Sequence, residues 1–327
     1  MDLALTAEQE EARRDLAALL ARECSTAVVR RAEPLGFDGA LWQKCQERLA
    51  VAVGGPLLDT ALAAEEYGRV LAPIPVAETI AARRLLADLG RSAAVDAVAT
   101  IALTPPVDTT ARLVPAGAVA SVVVVCAHDD VVVIDADPPR GSPSNLGTSP
   151  VADVDTRAGT VVASGPAAVE RFERALDEWR VLTAALLVGL ADGALDLAVA
   201  HVSRREQFGV PIGSFQSVQH RLADLATERD GARLLVWEAA WAADAERARA
   251  SALAAMAFWW SARTAEAVTT DALHFHGGYG FTLAHDIQLY FRRAKAWPLA
   301  LGDPEHQLLT VAGRCFGAVD DHEVVRA

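Results

Sequence analysis

The sequence predicts a mainly α-helical protein with a small β domain in its middle, and three observations carry that prediction. Apolar residues fill 52% of the 327 positions, largely as alanine, leucine and valine, a composition that suits closely packed helices with ample surface for a core. From residue 169 onward the pattern reads as one long helix after another. Between the helical ends, β-branched runs at 119–127 and 130–136 flank His128-Asp129, the composition of a hairpin. The expected layout is an N-terminal helical domain over 1–90, a short β domain over 91–168 and a C-terminal helical bundle over 169–327.

Taken in order, Thr6 and Gln9 have the spacing of a capping box, so a helix should follow to about Arg22. A second should begin near Gly39 with Leu41, Trp42, Cys45 and Leu49 on one face. A third is expected over 57–71, where Glu65 and Glu66 read as a solvated face, and Pro73 and Pro75 separate it from a fourth over 76–89. In the middle section His128 is expected at a hairpin tip, Pro138, Pro139, Gly141, Pro143 and Gly147 mark a loop, and Val161-Val162 begin a last strand. Helices are then expected over about 174–205, 214–248, 250–275, 283–296 and 304–316. Trp237, Trp241, Phe258, Trp259 and Trp260 are expected in the core and at a subunit contact. Ser214 is placed to cap the second of these helices, whose apolar positions Val218, Leu222, Leu225 and Ala232 fall near a 3.6-residue period.

Bulk properties narrow the function. With 30 basic and 43 acidic residues the net charge is −13, which disfavours nucleic acid as a partner. Cys24, Cys45, Cys126 and Cys315 are scattered without metal spacing and read as reduced thiols. The first residues lack the basic-then-apolar order of a signal peptide, and apolar runs such as 184–191 are too short to span a bilayer. A cytoplasmic protein without a membrane segment is the expectation.

Around the break at 204–216 the side chains follow a definite order: Arg205, Phe208-Gly209, Pro211-Ile212-Gly213, Phe215-Gln216. This resembles the Arg-x-x-Phe-Gly…Pro-Ile…Phe-Gln signature of the acyl-CoA dehydrogenase family. The order Glu65-Glu66-Tyr67-Gly68-Arg69 with Pro73 and Pro75 is similar to that family's N-terminal helical domain. A second motif, His274-Phe275-His276-Gly277-Gly278-Tyr279-Gly280-Phe281, resembles the family's Gln-x-x-Gly-Gly-x-Gly-Phe, with His274 in place of the usual glutamine and the arginine-rich stretch 289–295 after it. Three glycines in four positions let a backbone approach a ligand closely. The resemblance implies that Arg205, Phe208, Gln216, His274, Gly277 and Gly278 contact FAD, and that the first three serve an FAD held mainly by a neighbouring subunit. A guanidinium fork suits a pyrophosphate.

The family's reaction takes a proton from the carbon beside a thioester and passes hydride from the next carbon to the flavin, and a glutamate is its base. By resemblance, that glutamate's usual position is occupied here by Leu301, and its rarer position on the preceding helix by about Val199. Neither is ionisable. Asp303, Glu305 and Asp196 stand nearby, but Asp303 before Pro304 reads more simply as a helix N-cap. The family's flavin-facing loop in the β domain is replaced by Leu103-Thr104-Pro105-Pro106, so the cradle for this chain's own flavin reads as trimmed. The chain therefore resembles the short, base-less β subunit of actinobacterial α2β2 acyl-CoA dehydrogenases of steroid and cholesterol catabolism. That resemblance implies FAD shared with a full-length α subunit, a bulky acyl-CoA substrate, and an electron-transfer flavoprotein as oxidant. The alternatives are a self-sufficient homo-oligomer whose base is Asp303, Glu305 or Asp196, and a scaffold or CoA-ester binder without flavin.

Overall fold

A computed structural model describes residues 4–317. Helix α1 (Ala7–Glu23) opens on the expected capping box: Thr6 Oγ1 accepts from the Gln9 N–H at 3.2 Å, and Gln9 Oε1 accepts from the Thr6 N–H at 3.0 Å. After α2 (Thr26–Ala32), α3 (Gly39–Val53) buries the predicted face of Leu41, Trp42, Cys45 and Leu49. Helices α4 (Leu57–Arg69) and α5 (Val76–Asp88) complete the N-terminal group.

The middle section holds six strands: β1 (Ala99–Ile101), β2 (Thr110–Val114), β3 (Val122–Ala127), β4 (Asp130–Asp135), β5 (Ala152–Asp155) and β6 (Thr160–Ser164). Four of them form one sheet in the order β1-β3-β4-β6, and β2 pairs with β5. The β3–β4 hairpin turns at His128-Asp129 as the sequence predicts, with His128 exposed at φ 57°. Strands β1, β2 and β5 are too short for a period-2 signal to stand out.

The C-terminal half comprises α6 (Pro166–Val202), α7 (Gln216–Ala245), α8 (Arg247–Phe275), α9 (Gly277–Gly280), α10 (Ile287–Ala296) and α11 (Pro304–Phe316). Helix α6 runs 37 residues, and an 18-residue window of it has mean hydropathy 1.8, long and apolar enough to cross a bilayer where the sequence showed only short runs. In the fold 83% of that window is buried against other helices, which makes it a core element. Ser214 does not cap α7. Its Oγ instead donates to the Pro211 carbonyl at 2.7 Å, closing a 3-10 turn over Ile212–Ser214, and Phe215 occupies the cap position without a side-chain bond. Of the expected α7 stripe, Leu225 and Ala232 are buried while Val218 and Leu222 keep partial exposure. Trp237 and Phe258 enter the core, and Trp260 stays 45% exposed.

The α4–α6 crossing explains the Glu65-Glu66-Tyr67-Gly68-Arg69 motif. A Cβ on Gly68 would lie 2.0 Å from the Leu186 carbonyl oxygen, and one on Gly189 only 1.8 Å from that of Glu65. Two backbones touch here, and only glycine permits it. Glu65 and Glu66 are not a solvated face: Glu65 is 1% exposed. Its carboxylate accepts from Trp237 Nε1 at 2.7 Å and Arg233 Nε at 3.0 Å, while Arg13 reaches Glu66 at 2.9 Å. Arg229 and Arg233 also pair with the buried Asp192, so the charges packed between α4, α6 and α7 are compensated.

Candidate functional site

Two regions carry chemistry, one after the C-terminal end of α6 and one beside its middle. The first is the corner after it. Strand β7 (Glu206–Gln207) pairs with β8 (Val210–Pro211), leaving Phe208-Gly209 as a two-residue turn. Both turn residues have positive φ, 55° and 81°, as a type I′ hairpin requires. Gly209 adopts this freely, whereas Phe208 is strained. Phe208 is also 94% exposed, its ring meeting Phe215 edge-on at 6.3 Å. A strained aromatic held out in solvent is a functional signal, because nothing in this chain's core explains it. The exposed Arg205 guanidinium makes no hydrogen bond or ion pair among the described residues, and Gln216 is exposed on the first turn of α7.

The glycine motif joins this corner. His276, next to Gly277, is buried and stacks on His201 at 4.2 Å and on His285 at 4.4 Å between ring centroids. The His276 Nδ1–H donates to the Ala272 carbonyl at 2.7 Å, and the Arg205 N–H donates to the His201 carbonyl at 2.9 Å. Arg221 of α7 bonds Asp271 of α8 at 2.7 Å, closing the same end of the bundle. The His201–His276 contact thus brings the corner and the glycine motif to the same end of the bundle, and Arg205, Phe208, Gln216, His274, Gly277 and Gly278 are all exposed. Gly277 has φ 61°, and a Cβ on Gly277 or Gly278 would meet open space, so that strand of backbone is accessible to a ligand. Burial holds the His201 and His285 imidazoles below their usual range, and each is further lowered by neighbouring His276.

The second region is a cavity of about 680 Å³ between the β domain, α5, α6 and the turn after α10. Its walls include Leu71, Ile74, Leu103, Leu146, Trp297 and Leu299, with Glu78, Arg112, Thr183 and Arg293 as polar groups. Leu301, the usual base position by resemblance, sits in the 3-10 turn Trp297–Leu301, whose Leu299 and Ala300 line the rim together with Gly302. Val199 is not brought to this cavity: it is 45% exposed near the corner end of α6, and the α6 residues that face the cavity are Trp179, Thr183 and Leu186. None of those three can take a proton.

The three alternative carboxylates are not among the cavity's lining residues. Asp303 is the N-cap of α11, its carboxylate accepting from the Glu305 N–H at 2.7 Å. Asp196 pairs with Arg69, and Glu305 is exposed on the first turn of α11. Sequence reasoning missed Glu78, which lies in the cavity wall. Trp179 Nε1 donates to Glu78 Oε1 at 3.3 Å, and burial raises the Glu78 pKa against the smaller pull of its own backbone N–H and Trp179. Its only sequence signal is an acidic residue among apolar ones, and many exposed helices share that. Burial likewise brings the Arg293 guanidinium down to about 10, although Glu33 partly offsets it, and Arg293 Nη2 donates to Thr148 Oγ1 at 3.0 Å.

Comparison with known proteins gives the lineage. The family described as acyl-CoA dehydrogenase, C-terminal domain, matches residues 169–316, which include both the corner and the glycine motif. The acyl-CoA dehydrogenase IpdE2 of Mycolicibacterium smegmatis is 32% identical over 324 residues, covering 95% of this chain and 100% of that protein. The chain belongs to the acyl-CoA dehydrogenase family. Members of this family are FAD-binding flavoproteins that act as oxidoreductases on CH–CH bonds. Among solved structures, a variant of the Tcur3481–Tcur3483 steroid ACAD matches with a TM-score of 0.82 at 26% identity, over 94% of this chain and 97% of that one. The ChsE4–ChsE5 complex of Mycobacterium tuberculosis matches in fold with a TM-score of 0.85 at 24% identity, over 98% and 100%. The acyl-CoA dehydrogenase fold of helices around a small sheet is thus the one the sequence predicted.

Proposed function

We propose that this chain is the base-less, cofactor-completing β subunit of an FAD-dependent acyl-CoA dehydrogenase, joined to a full-length α subunit in an α2β2 assembly. One observation carries the reading: the corner residues face outward with unmet bonding capacity, while the base positions are apolar or lie away from the cavity. The residues present fit FAD. The Arg205 guanidinium has no hydrogen-bond or ion-pair partner among the described residues and offers a fork for pyrophosphate oxygens. Gln216 and His274 supply polar contacts, Phe208 an aromatic edge, and Gly277 and Gly278 an open backbone. When bound, FAD supplies the hydride acceptor for α,β-desaturation of a CoA thioester. The partner supplies the glutamate that takes the α-proton, and this chain holds the cofactor and excludes water around it. A bulky, steroid-derived acyl group and an electron-transfer flavoprotein complete the proposal, together with a cytoplasmic location. The steroid-type relative and the two-component names of both structural neighbours support it.

The test is flavin absorbance and native mass of this chain purified alone, and then co-expressed with a full-length homologue. Colourless alone and yellow as a heterotetramer is the expected result. In that complex Arg205→Ala should release the flavin, and Asp303→Asn should leave turnover intact. A yellow chain that turns over acyl-CoA by itself would sink the reading.

A further inference from the structure

Three imidazoles stand between the corner and the glycine segment. His276, 7% exposed at the end of α8, lies between His201 on the last turn of α6 and His285 just before α10, with ring centroids 4.2 and 4.4 Å away. The middle ring is anchored to its own helix through the Ala272 carbonyl. Beyond it, a Cβ on Gly280 would sit 2.7 Å from His276 Cβ and 3.4 Å from Ile287 Cγ2, so α9 packs tightly on the stack. On the other side the corner is tied back to α6. The Ile212 N–H donates to the Arg205 carbonyl at 2.7 Å, and a Cβ on Gly213 would lie 3.1 Å from Val202. The rings therefore transmit a shift of one segment to the other.

The stack is built for neutral rings. The Ile287 N–H, the first of α10, donates to His285 Nδ1 at 3.1 Å, so the hydrogen of that ring is on Nε2. A proton on Nδ1 would set N–H against N–H and place a cation at the positive end of a helix. His201 lies at the opposite kind of helix end, which favours a cation, but Arg205 follows one turn later and His276 lies against its ring. Arg30 of α2 pairs with Asp286 at 2.7 Å, and Asp271 of α8 pairs with Arg221 of α7 at 2.7 Å. Asp286 favours a proton on His285 and Arg30 opposes it. From α9 the Tyr279 ring meets His285 edge-on at 5.1 Å. His201 and His285 are half-buried, so solvent protons reach both.

We propose that His276 is a positioning residue for the flavin face: wedged between neutral His201 and His285, it holds the corner and the glycine segment in register, and proton uptake by either outer ring lets them part. Both outer rings are held below the usual range while the stack is closed and regain it when the stack opens. Opening therefore takes up protons and is favoured as pH falls below about 6.5. The consequence for the cofactor rests on the flavin reading above. Arg205, Phe208 and Gln216 on one side and His274, Gly277 and Gly278 on the other no longer meet one ligand together, and flavin retention falls.

Hydrogen–deuterium exchange of the chain as purified tests the contact without flavin. Between pH 7.5 and 5.5, after correction for intrinsic rates, protection over 204–216 and 276–287 should fall by up to about tenfold per imidazole. The middle of α6 and α8 should stay protected. A chain carrying His201→Gln and His285→Asn does not titrate at these positions, and its new amide oxygen can still accept from Ile287. In it the two segments should keep the same protection at both pH values. His276→Phe, which keeps a ring in the wedge, should preserve protection at pH 7.5, and His276→Ala should lose it in both segments. In the co-expressed complex the flavin dissociation constant should rise several-fold from pH 7.5 to 5.5, and stay flat in the double variant. The proposal is overturned by protection that is independent of pH in the native chain, that falls equally in the double variant, or that falls alike across the whole bundle. A complex that retains flavin equally at both pH values would also overturn it. Absence of flavin from the complex would instead sink the subunit reading, and exchange would still decide the role of His276.

Discussion

At the scale of single residues, Phe208 carries a cost that its own chain does not recover. An L-residue in the left-handed region loses about 1–2 kcal/mol, and among the described residues Phe208 makes one ring contact, with Phe215. Asparagine tolerates that conformation better, so Phe208→Asn should stabilise the chain by about 1 kcal/mol in denaturant unfolding. The same substitution should lower flavin retention in the complex, and the opposite signs separate a functional residue from a structural one. Asp303 gives the contrasting case. Removing its cap with Asp303→Ala should cost about 1 kcal/mol of stability, while Asp303→Asn, which caps as well, should cost almost nothing. Turnover of the complex should survive both.

At the scale of elements, the α4–α6 contact sets the geometry that everything else hangs on. Gly189→Ala places a methyl inside the van der Waals envelope of the Glu65 carbonyl, and the helices must part to admit it. A loss of about 3 kcal/mol or more is expected in thermal or chemical unfolding, at the upper end of overpacking costs. The histidine stack ties the ends of α6 and α8 and gives that end a pH dependence. The folded pKa values of His201 and His285 lie below 6.5, so the unfolded chain takes up protons first. Their contribution is present above about 6.5 and is lost as pH falls through the folded values. Arg205 and Arg30 add to the repulsion, and Asp286 opposes it at His285. Unfolding midpoints between pH 7.5 and 5.5 should therefore fall, and less steeply in His201→Gln. Glu78 acts in the other direction. Its folded pKa is raised, so its contribution is present below about 4.5 and is lost as pH rises through the folded value. Glu78→Gln should accordingly be the more stable protein at pH 8.

At the scale of the whole molecule, the sequence was legible wherever a local rule sufficed. The capping box at Thr6, the hairpin tip at His128, the N-cap at Asp303 and the long helices all follow from short-range chemistry, and the structure contains each of them. What stayed hidden depends on distant packing. Glu65 looks solvated until α7 brings Arg233 and Trp237 against it from 168 and 172 residues away. Glu78 meets Trp179, 101 residues away, only because α5 packs beside α6. Val199 stands at the rarer base position by resemblance, and only the fold reveals that the cavity meets α6 near Trp179 instead. The corner residues were readable as a motif, but the histidine stack that joins their two segments was not, since 75 positions separate His201 from His276.

Helix α6 spans both regions, and its length separates them. From Thr183 to Val202 the axis advances about 29 Å at 1.5 Å per residue. Sites that far apart with no shared partners combine additively, so a chain carrying both Glu78→Gln and Arg205→Ala should show each effect at its single-variant size. A substitution at either place along the same rod can then be made and read without disturbing the other.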